Sequence, residues 1–349
     1  MVNRSLPPPQ EPELLDSVIE LLVESLPTRA VRDAPLGIRT TYRVGGAAAL
    51  SVEIDSTDDL RAVHRALCRV AGAVPVLVVG QGSNLLVADS GFRGVVISLG
   101  RGFDWVELRG SDVRAGGATK FPVLARRSAA AGLSGMEWAV GIPGSVGGAL
   151  RMNAGGHGSD TAAVLTRYSS FDLADGLEAE HDAGRLAFAY RSSKLAPGEV
   201  VLWAQFALTR EDPERAQAEV AEVVRWRREH QPGGSNAGSV FTNPPGDSAG
   251  RLVEEAGLKG LRIGSAQVSQ KHANFIQADE GGSADDVRRL IEHVRAEVAG
   301  RSGVLLATEV RLVGFEDSRP GTVEALAARA PDPKGSTSTS SRSLGSTSS

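Results

Sequence analysis

A mixed α and β fold is predicted by three features of the chain. Short β-branched runs, PVLVVG at Pro75–Gly80 and GVVISLG at Gly94–Gly100, alternate with stretches whose apolar residues recur at helical spacing. Glycine is abundant, 41 of 349 residues, and concentrates in a few short loops between these runs. The composition, 41% hydrophobic and 23% charged, is that of a soluble globular chain, and the length favours two or three domains.

In chain order, residues 1–12 hold Pro7, Pro8, Pro9 and Pro12, which remove backbone donors and predict a disordered arm. From Glu13 to Leu26, Leu14, Leu15, Val18, Ile19, Leu22 and Leu26 line one helical face, so a docking helix is expected. Helices are expected at Thr57–Ala71, opened by Ser56, Thr57 and Asp58, and at Thr119–Ala131. Another is expected at Pro213–His230, with Asp212 before a proline in its first turn, and the last at Ser283–Ala299, with Asp286 three residues after Ser283. The loop Gln231–Ser239 reads as a boundary between a larger first half and a smaller C-terminal domain. Ser336–Ser349 has eleven Ser or Thr in fourteen positions, too little apolar surface to offset ordering, and predicts a mobile tail over 317–349.

Charge and cysteine content exclude several classes. Lysine plus arginine total 38 against 42 acidic residues, a net charge of -4, which lacks the broad positive field of a nucleic-acid binder. The single cysteine, Cys68, excludes an internal disulfide and reads as a core residue on a helix face. No apolar run is long enough for a membrane span and no signal-peptide core follows Met1, so a cytoplasmic protein without membrane partners is expected. The six histidines show no metal-ligand spacing, and no metal is expected.

Two glycine clusters carry the chemistry. GQGSNLLVAD, Gly80–Asp89, leaves the end of a strand, where Gly80 and Gly82 permit close backbone approach and successive amides with Ser83 and Asn84 can surround a phosphate. It is not a Rossmann fingerprint, because Leu85 stands at the third glycine position, and an ordinary tight turn is the competing reading. Between Gly132 and Gly158 nine glycines interleave with apolar residues. That pattern suits a flat flavin or nucleotide and equally suits a close crossing of chain segments; His157, within it, reads as a packing residue. Beyond these, Arg191 in YRSS offers a fork for a carboxylate, and Ser239 and Asn243 flank Phe241. Glu309 falls on a late strand, and Lys271 with His272 could meet an anion. Each has a structural alternative when taken alone.

Taken in order, YRVGGAA, GQGSNLLVAD, GLSGMEWAVGIPGSVGGALRMNAG, YRSS, QPGGSNAGSVFTNP, AGLKG, VSQKHANFI and GVLLATEVRLVG resemble the UDP-N-acetylenolpyruvoylglucosamine reductases, the MurB flavoenzymes of peptidoglycan precursor synthesis. The match runs from about Leu36 to Gly314. It implies an α+β protein with an FAD-binding half of the vanillyl-alcohol-oxidase (PCMH) type in two α+β subdomains, 13–100 and 101–212, and an α+β substrate domain at 213–316. By the resemblance, noncovalent FAD lies on Gly80, Gln81, Gly82, Ser83, Asn84 and Leu85 and on Gly141, Gly144, Ser145, Gly148, Asn153 and Ala154. NADPH would reduce the flavin and give way to the enolpyruvyl UDP-sugar; separately from the resemblance, a monomer is expected. Arg191 matches the arginine and Glu309 the glutamate that stabilise the intermediate, Ser239 matches the proton donor, and Asn243 and Lys271 fall at substrate positions.

Departures accompany the match. Thr242 replaces the family's common lysine, and the short connection from Lys194 to Pro213 points to the subclass without the tyrosine-bearing insertion. Two other classes remain open on sequence: an oxidase of a small alcohol or sugar on the same fold, and a non-catalytic cell-wall scaffold. Either would be expected to lack the combination of Arg191, Ser239 and Glu309.

Overall fold

The computed structural model describes residues 11–70, 73–315 and 324–326. The arm expected at 1–12 therefore lies outside the described residues except for its last two, which open the helix Glu11–Ser25. The tail expected at 317–349 lies outside them except for Glu324–Leu326. Those three residues pair antiparallel with Val74–Val76, so the expectation of a uniformly mobile tail is corrected there.

The first sheet has five strands in the order Ala30–Ala34, Ala48–Ile54, Phe92–Leu99, Val74–Val78, Glu324–Leu326. Phe92–Leu99 is central and parallel to both neighbours. Both of its faces are buried, which explains its nearly unbroken apolar run: Val95 and Ile97 enter one core, and Val96 enters a smaller one with Leu77 and Val87. Helix Thr57–Cys68 packs on the first of these faces through Leu60, Val63 and Leu67. Ser56 Oγ accepts from Asp59 N–H and Asp59 Oδ2 accepts from Ser56 N–H, a reciprocal cap that fixes the start of the helix. Cys68, read as core from the sequence, is exposed, with Sγ 3.7 Å from both nitrogens of His64. It stands at the helix end, where the buried stripe has already turned away.

The second sheet is wholly antiparallel, in the order Leu177–Asp182, Leu165–Asp172, Glu199–Ala207, Asp112–Gly116, Val106–Arg109. Phe171, Leu173, Val200 and Leu202 join the core of the first sheet, where they meet Val18, Ile19 and Leu22 of the N-terminal helix. The expected docking helix thus buries the stripe that its sequence displays.

Helices Phe121–Ala130 and Pro213–His230 close a second core on the second sheet, around Tyr168, Ala204 and Phe206. This corrects the boundary expected at 213. Ala216, Val220 and Val223 share that core with Phe121, Leu124 and Trp138, so the helix Pro213–His230 packs with the second sheet. An apolar stripe declares that a helix has a buried face, and it does not declare which core receives that face.

The C-terminal core packs helices Ala249–Glu255 and Ala284–Ser302 with the small sheet Arg262–Ile263, Ala266–Val268 and Ile276–Ala278. Tyr42, Val44 and Leu86, from the first half of the chain, are buried within it. Two further contacts tie the halves together. Leu85–Val87 pairs in parallel with Arg311–Val313. Asp89 accepts hydrogen bonds from Ser283 Oγ at 2.5 Å, Ala284 N–H at 2.9 Å and Asp285 N–H at 3.2 Å, so a carboxylate of the first half caps the last long helix. No helix among the described residues is long and apolar enough to cross a membrane.

Asp89→Ala removes that cap and its favourable charge at the helix N-terminus. It is expected to cost about 1–2 kcal/mol, the upper part of the range for a lost N-cap. Urea unfolding checks this, and an unchanged midpoint would show that Ser283 caps the helix unaided.

Candidate active site

A cavity of about 590 Å³ opens where the cores meet. One wall is the loop Gly80–Leu85, which follows the strand Val74–Val78; facing it is the loop Gly141–Ser145, which leads into the short helix Val146–Met152. The loops are latched by Ser83 Oγ, which donates to the Pro143 carbonyl at 2.8 Å. A Cβ on Gly80 would lie 2.2 Å from Ser145 Oγ, and Gly144, at φ 141°, is in a backbone region that side chains rarely adopt. Both glycines are therefore required by the approach of the two loops.

Three candidate residues reach this cavity from three parts of the chain. Arg191 sits at φ 55° in the turn Ala189–Ser192, whose end residues exchange backbone hydrogen bonds of 3.1 Å. Ser239 follows Gly238, which has φ 76°, at the end of the loop after Pro213–His230. Glu309 is fixed by its neighbours: its N–H donates to the Val240 carbonyl at 2.8 Å, and its own carbonyl accepts from Asn84 Nδ2 at 3.0 Å. Ser239 and Glu309 thus lie on adjacent, hydrogen-bonded segments, and both are tied to the glycine loop through Asn84.

Arg191 Nε lies 3.0 Å from Glu309 Oε1. Both side chains are largely buried, which strengthens the attraction between the two charges. Burial pushes the Glu309 carboxyl above its ordinary value, and the Arg191 charge only partly opposes the shift. Arg151, Arg227 and Arg311 also line the cavity, and Glu309 is its one carboxylate among the described residues. Burial lowers the values of Arg227 and Arg311, as expected of guanidiniums withdrawn from water.

The other expected ligands divide. Gly80, Gln81, Gly82, Ser83, Asn84, Leu85, Gly141, Gly144, Ser145, Gly148 and Ala154 all line the cavity. Asn153, Asn243 and Lys271 are not among its lining residues. Asn153 is buried at φ 40°; its Nδ2 donates to Asp160 Oδ2 and to the Ala189 carbonyl, and its Oδ1 accepts from Ala162 N–H. Its amide holds the Arg191 turn and has no donor left over. Asn243 Oδ1 accepts from Ala249 N–H at 3.0 Å, and Lys271 Nζ donates to the Arg228 carbonyl. Trp226, Arg227, Gln231 and His157 also line the cavity, although the sequence alone marks none of them as a ligand. The basic segment that ends the helix Pro213–His230 is the signal for Trp226 and Arg227, and His157 carries no signal beyond its glycine-rich context.

Comparison with known proteins follows the same division of the chain. An FAD binding domain family model matches residues 48–179, and the C-terminal domain model of UDP-N-acetylenolpyruvoylglucosamine reductase matches residues 230–313. The chain is 44% identical over 293 residues to UDP-N-acetylenolpyruvoylglucosamine reductase 2 of Symbiobacterium thermophilum, covering 82% of this chain and 93% of that relative. It is 40% identical over 304 residues to the reductase of Bacillus subtilis, covering 86% and 99%. The chain belongs to the UDP-N-acetylenolpyruvoylglucosamine reductase family. The crystal structure of the family member MurB from Thermus caldophilus matches with a TM-score of 0.71 at 38% identity, over 81% of this chain and 98% of that one. The fold is accordingly the PCMH-type FAD-binding fold with a C-terminal domain, and FAD is the cofactor. The cavity fits it: two glycine loops that exclude side chains leave room for a flat ring system, and the excess of arginine over carboxylate suits a pyrophosphate.

Asn153→Gly keeps the left-handed backbone and deletes the amide that holds the Arg191 turn. FAD content should stay at the wild-type level while kcat falls by about tenfold or more, because small displacements of a positioned group are costly. Loss of FAD with unchanged kcat per bound flavin would return Asn153 to the cofactor site. For Glu309, the raised value means that its ionised form opposes folding. The stabilising contribution is present below the unfolded value, near 4.5, and is lost as pH rises through the folded value. Glu309→Gln should therefore unfold at higher urea than wild type at pH 7.5, with the gain shrinking toward pH 4.5. A difference that does not vary with pH would refute this.

Proposed function

We propose that the chain reduces the enolpyruvyl group of UDP-N-acetylglucosamine enolpyruvate to the lactyl ether with NADPH, giving UDP-N-acetylmuramate for peptidoglycan synthesis. The observation that carries this reading is the convergence of Arg191, Ser239 and Glu309 on one cavity with both glycine loops. Bound FAD, held noncovalently, would supply the hydride relay between NADPH and the vinyl carbon. Hydride addition to that carbon leaves negative charge on the adjacent carbon and its carboxylate. Arg191 meets that charge with a guanidinium fork held in place by its turn and by its ion pair with Glu309. Ser239 Oγ supplies the proton that converts the carbanion to the lactyl centre, a task a weakly acidic hydroxyl can perform only toward a strong base. Glu309, with its raised value, holds a proton more readily than an exposed glutamate and is suited to assist.

The domain division proposed is a flavin-binding part of two subdomains and a substrate part that supplies Ser239 and Glu309, with the helix Pro213–His230 assigned to the flavin side. All residues invoked belong to one chain, so the reading requires no second copy. Cytoplasmic placement accords with the nucleotide substrates.

Ser239→Ala separates the two half-reactions. Bleaching of the flavin by NADPH should proceed at a near-normal rate, whereas reoxidation by the enolpyruvyl substrate should slow by at least roughly two orders of magnitude. Anaerobic stopped-flow absorbance measures each half. Equal slowing of both would show that Ser239 positions the flavin instead of donating a proton.

A further inference from the structure

Trp226 is 41% exposed, the only tryptophan among the exposed large hydrophobics of the described residues, and it lines the cavity. The apolar face of its helix is buried through Ala216, Val220 and Val223, so packing of the helix does not require Trp226 at the cavity rim. Its ring is nonetheless held in place. His230 stacks on it with centroids 4.6 Å apart and planes 13° apart, and His230 Nδ1 lies 2.8 Å from the Trp226 carbonyl oxygen. His157, another cavity residue, meets the Trp226 ring at 4.9 Å with planes at 83°. Three rings thus form an ordered aromatic wall at the rim. The next residue, Arg227, lines the same cavity, and its Nε donates to Gln231 Oε1 at 2.7 Å, which orients the guanidinium.

We propose that the wall of Trp226 and His157 is a stacking subsite for the base of the nucleotide that exchanges at this cavity, with Arg227 receiving its phosphate. The proposal rests on the reductase reading, which requires two nucleotides, NADPH and the UDP-sugar, to occupy the cavity in turn. Bases stack on aromatic side chains whatever their identity, and a guanidinium fork matches phosphate oxygens. Burial and the nearby Arg227 charge keep the His157 value below that of ordinary histidine, so its ring meets the base uncharged near neutral pH. The partly exposed position suits a ligand that comes and goes, whereas the cofactor is assigned to the glycine loops.

Calorimetric titration of the FAD-loaded protein with UDP, nicotinamide mononucleotide and adenosine 2′,5′-bisphosphate, each separately, tests the proposal. Trp226→Ala should weaken at least one probe by about 5- to 150-fold, the effect of losing one stacked base. Trp226→Phe should largely restore binding, and FAD content should match wild type in both variants. The probe affected identifies whether the uracil, the nicotinamide or the adenine uses the wall. Unchanged affinity of Trp226→Ala for probes that wild type binds overturns the subsite and leaves the reductase reading standing. Loss of FAD from Trp226→Ala overturns it in favour of a cofactor contact. If wild type binds none of the three, both readings fail.

Discussion

The parallel pairing of Leu85–Val87 with Arg311–Val313 is the constraint on which the site depends. It joins the segment that leaves the first glycine loop to the segment that leaves Glu309. Asn84 reinforces it on both sides: Nδ2 donates to the Glu309 carbonyl, and the Asn84 carbonyl accepts from Arg311 N–H. Residues 225 positions apart are thereby fixed within one hydrogen bond. Such a contact bears a large loop-closure cost, and the burial of Leu86, Val87 and Val313 around it supplies the compensating apolar gain.

The second constraint is local and strained. Arg191 adopts a left-handed backbone that is unusual for a residue with a side chain, a conformation costing on the order of 1–3 kcal/mol. The turn persists because both of its ends are bonded to each other and Asn153 Nδ2 holds the Ala189 carbonyl. Asn153 itself is left-handed, as is common for asparagine at a helix C-terminus. One amide at a favoured left-handed position thus supports the strained Arg191 turn, which brings a guanidinium to the cavity.

Electrostatics complete the site. A chain of net charge -4 gathers Arg151, Arg191, Arg227 and Arg311 around one cavity with a single carboxylate among the described residues. Desolvation makes these charges more effective than the same charges on the surface. It also accounts for the raised Glu309 value, since Arg191 alone does not offset the loss of water.

The α+β class, most helices and the two glycine loops were legible because they depend on local pattern: apolar periodicity, caps such as Ser56 with Asp59, and glycines where backbone approaches backbone. Arg191, Ser239 and Glu309 were legible only because short motifs resemble a family; nothing in their spacing reveals that they meet. Tertiary structure decided which core receives the helix Pro213–His230, and with it that Trp226 and Arg227 face the cavity. It also decided that Asn153, Asn243 and Lys271 lie off the cavity lining, with the Asn153 amide turned to hold the Ala189 carbonyl, and that Cys68 is exposed. The physical reason is the same in each case. Sequence period reports that a side chain has a buried or polar partner, and only the folding of distant segments onto one another determines which partner that is.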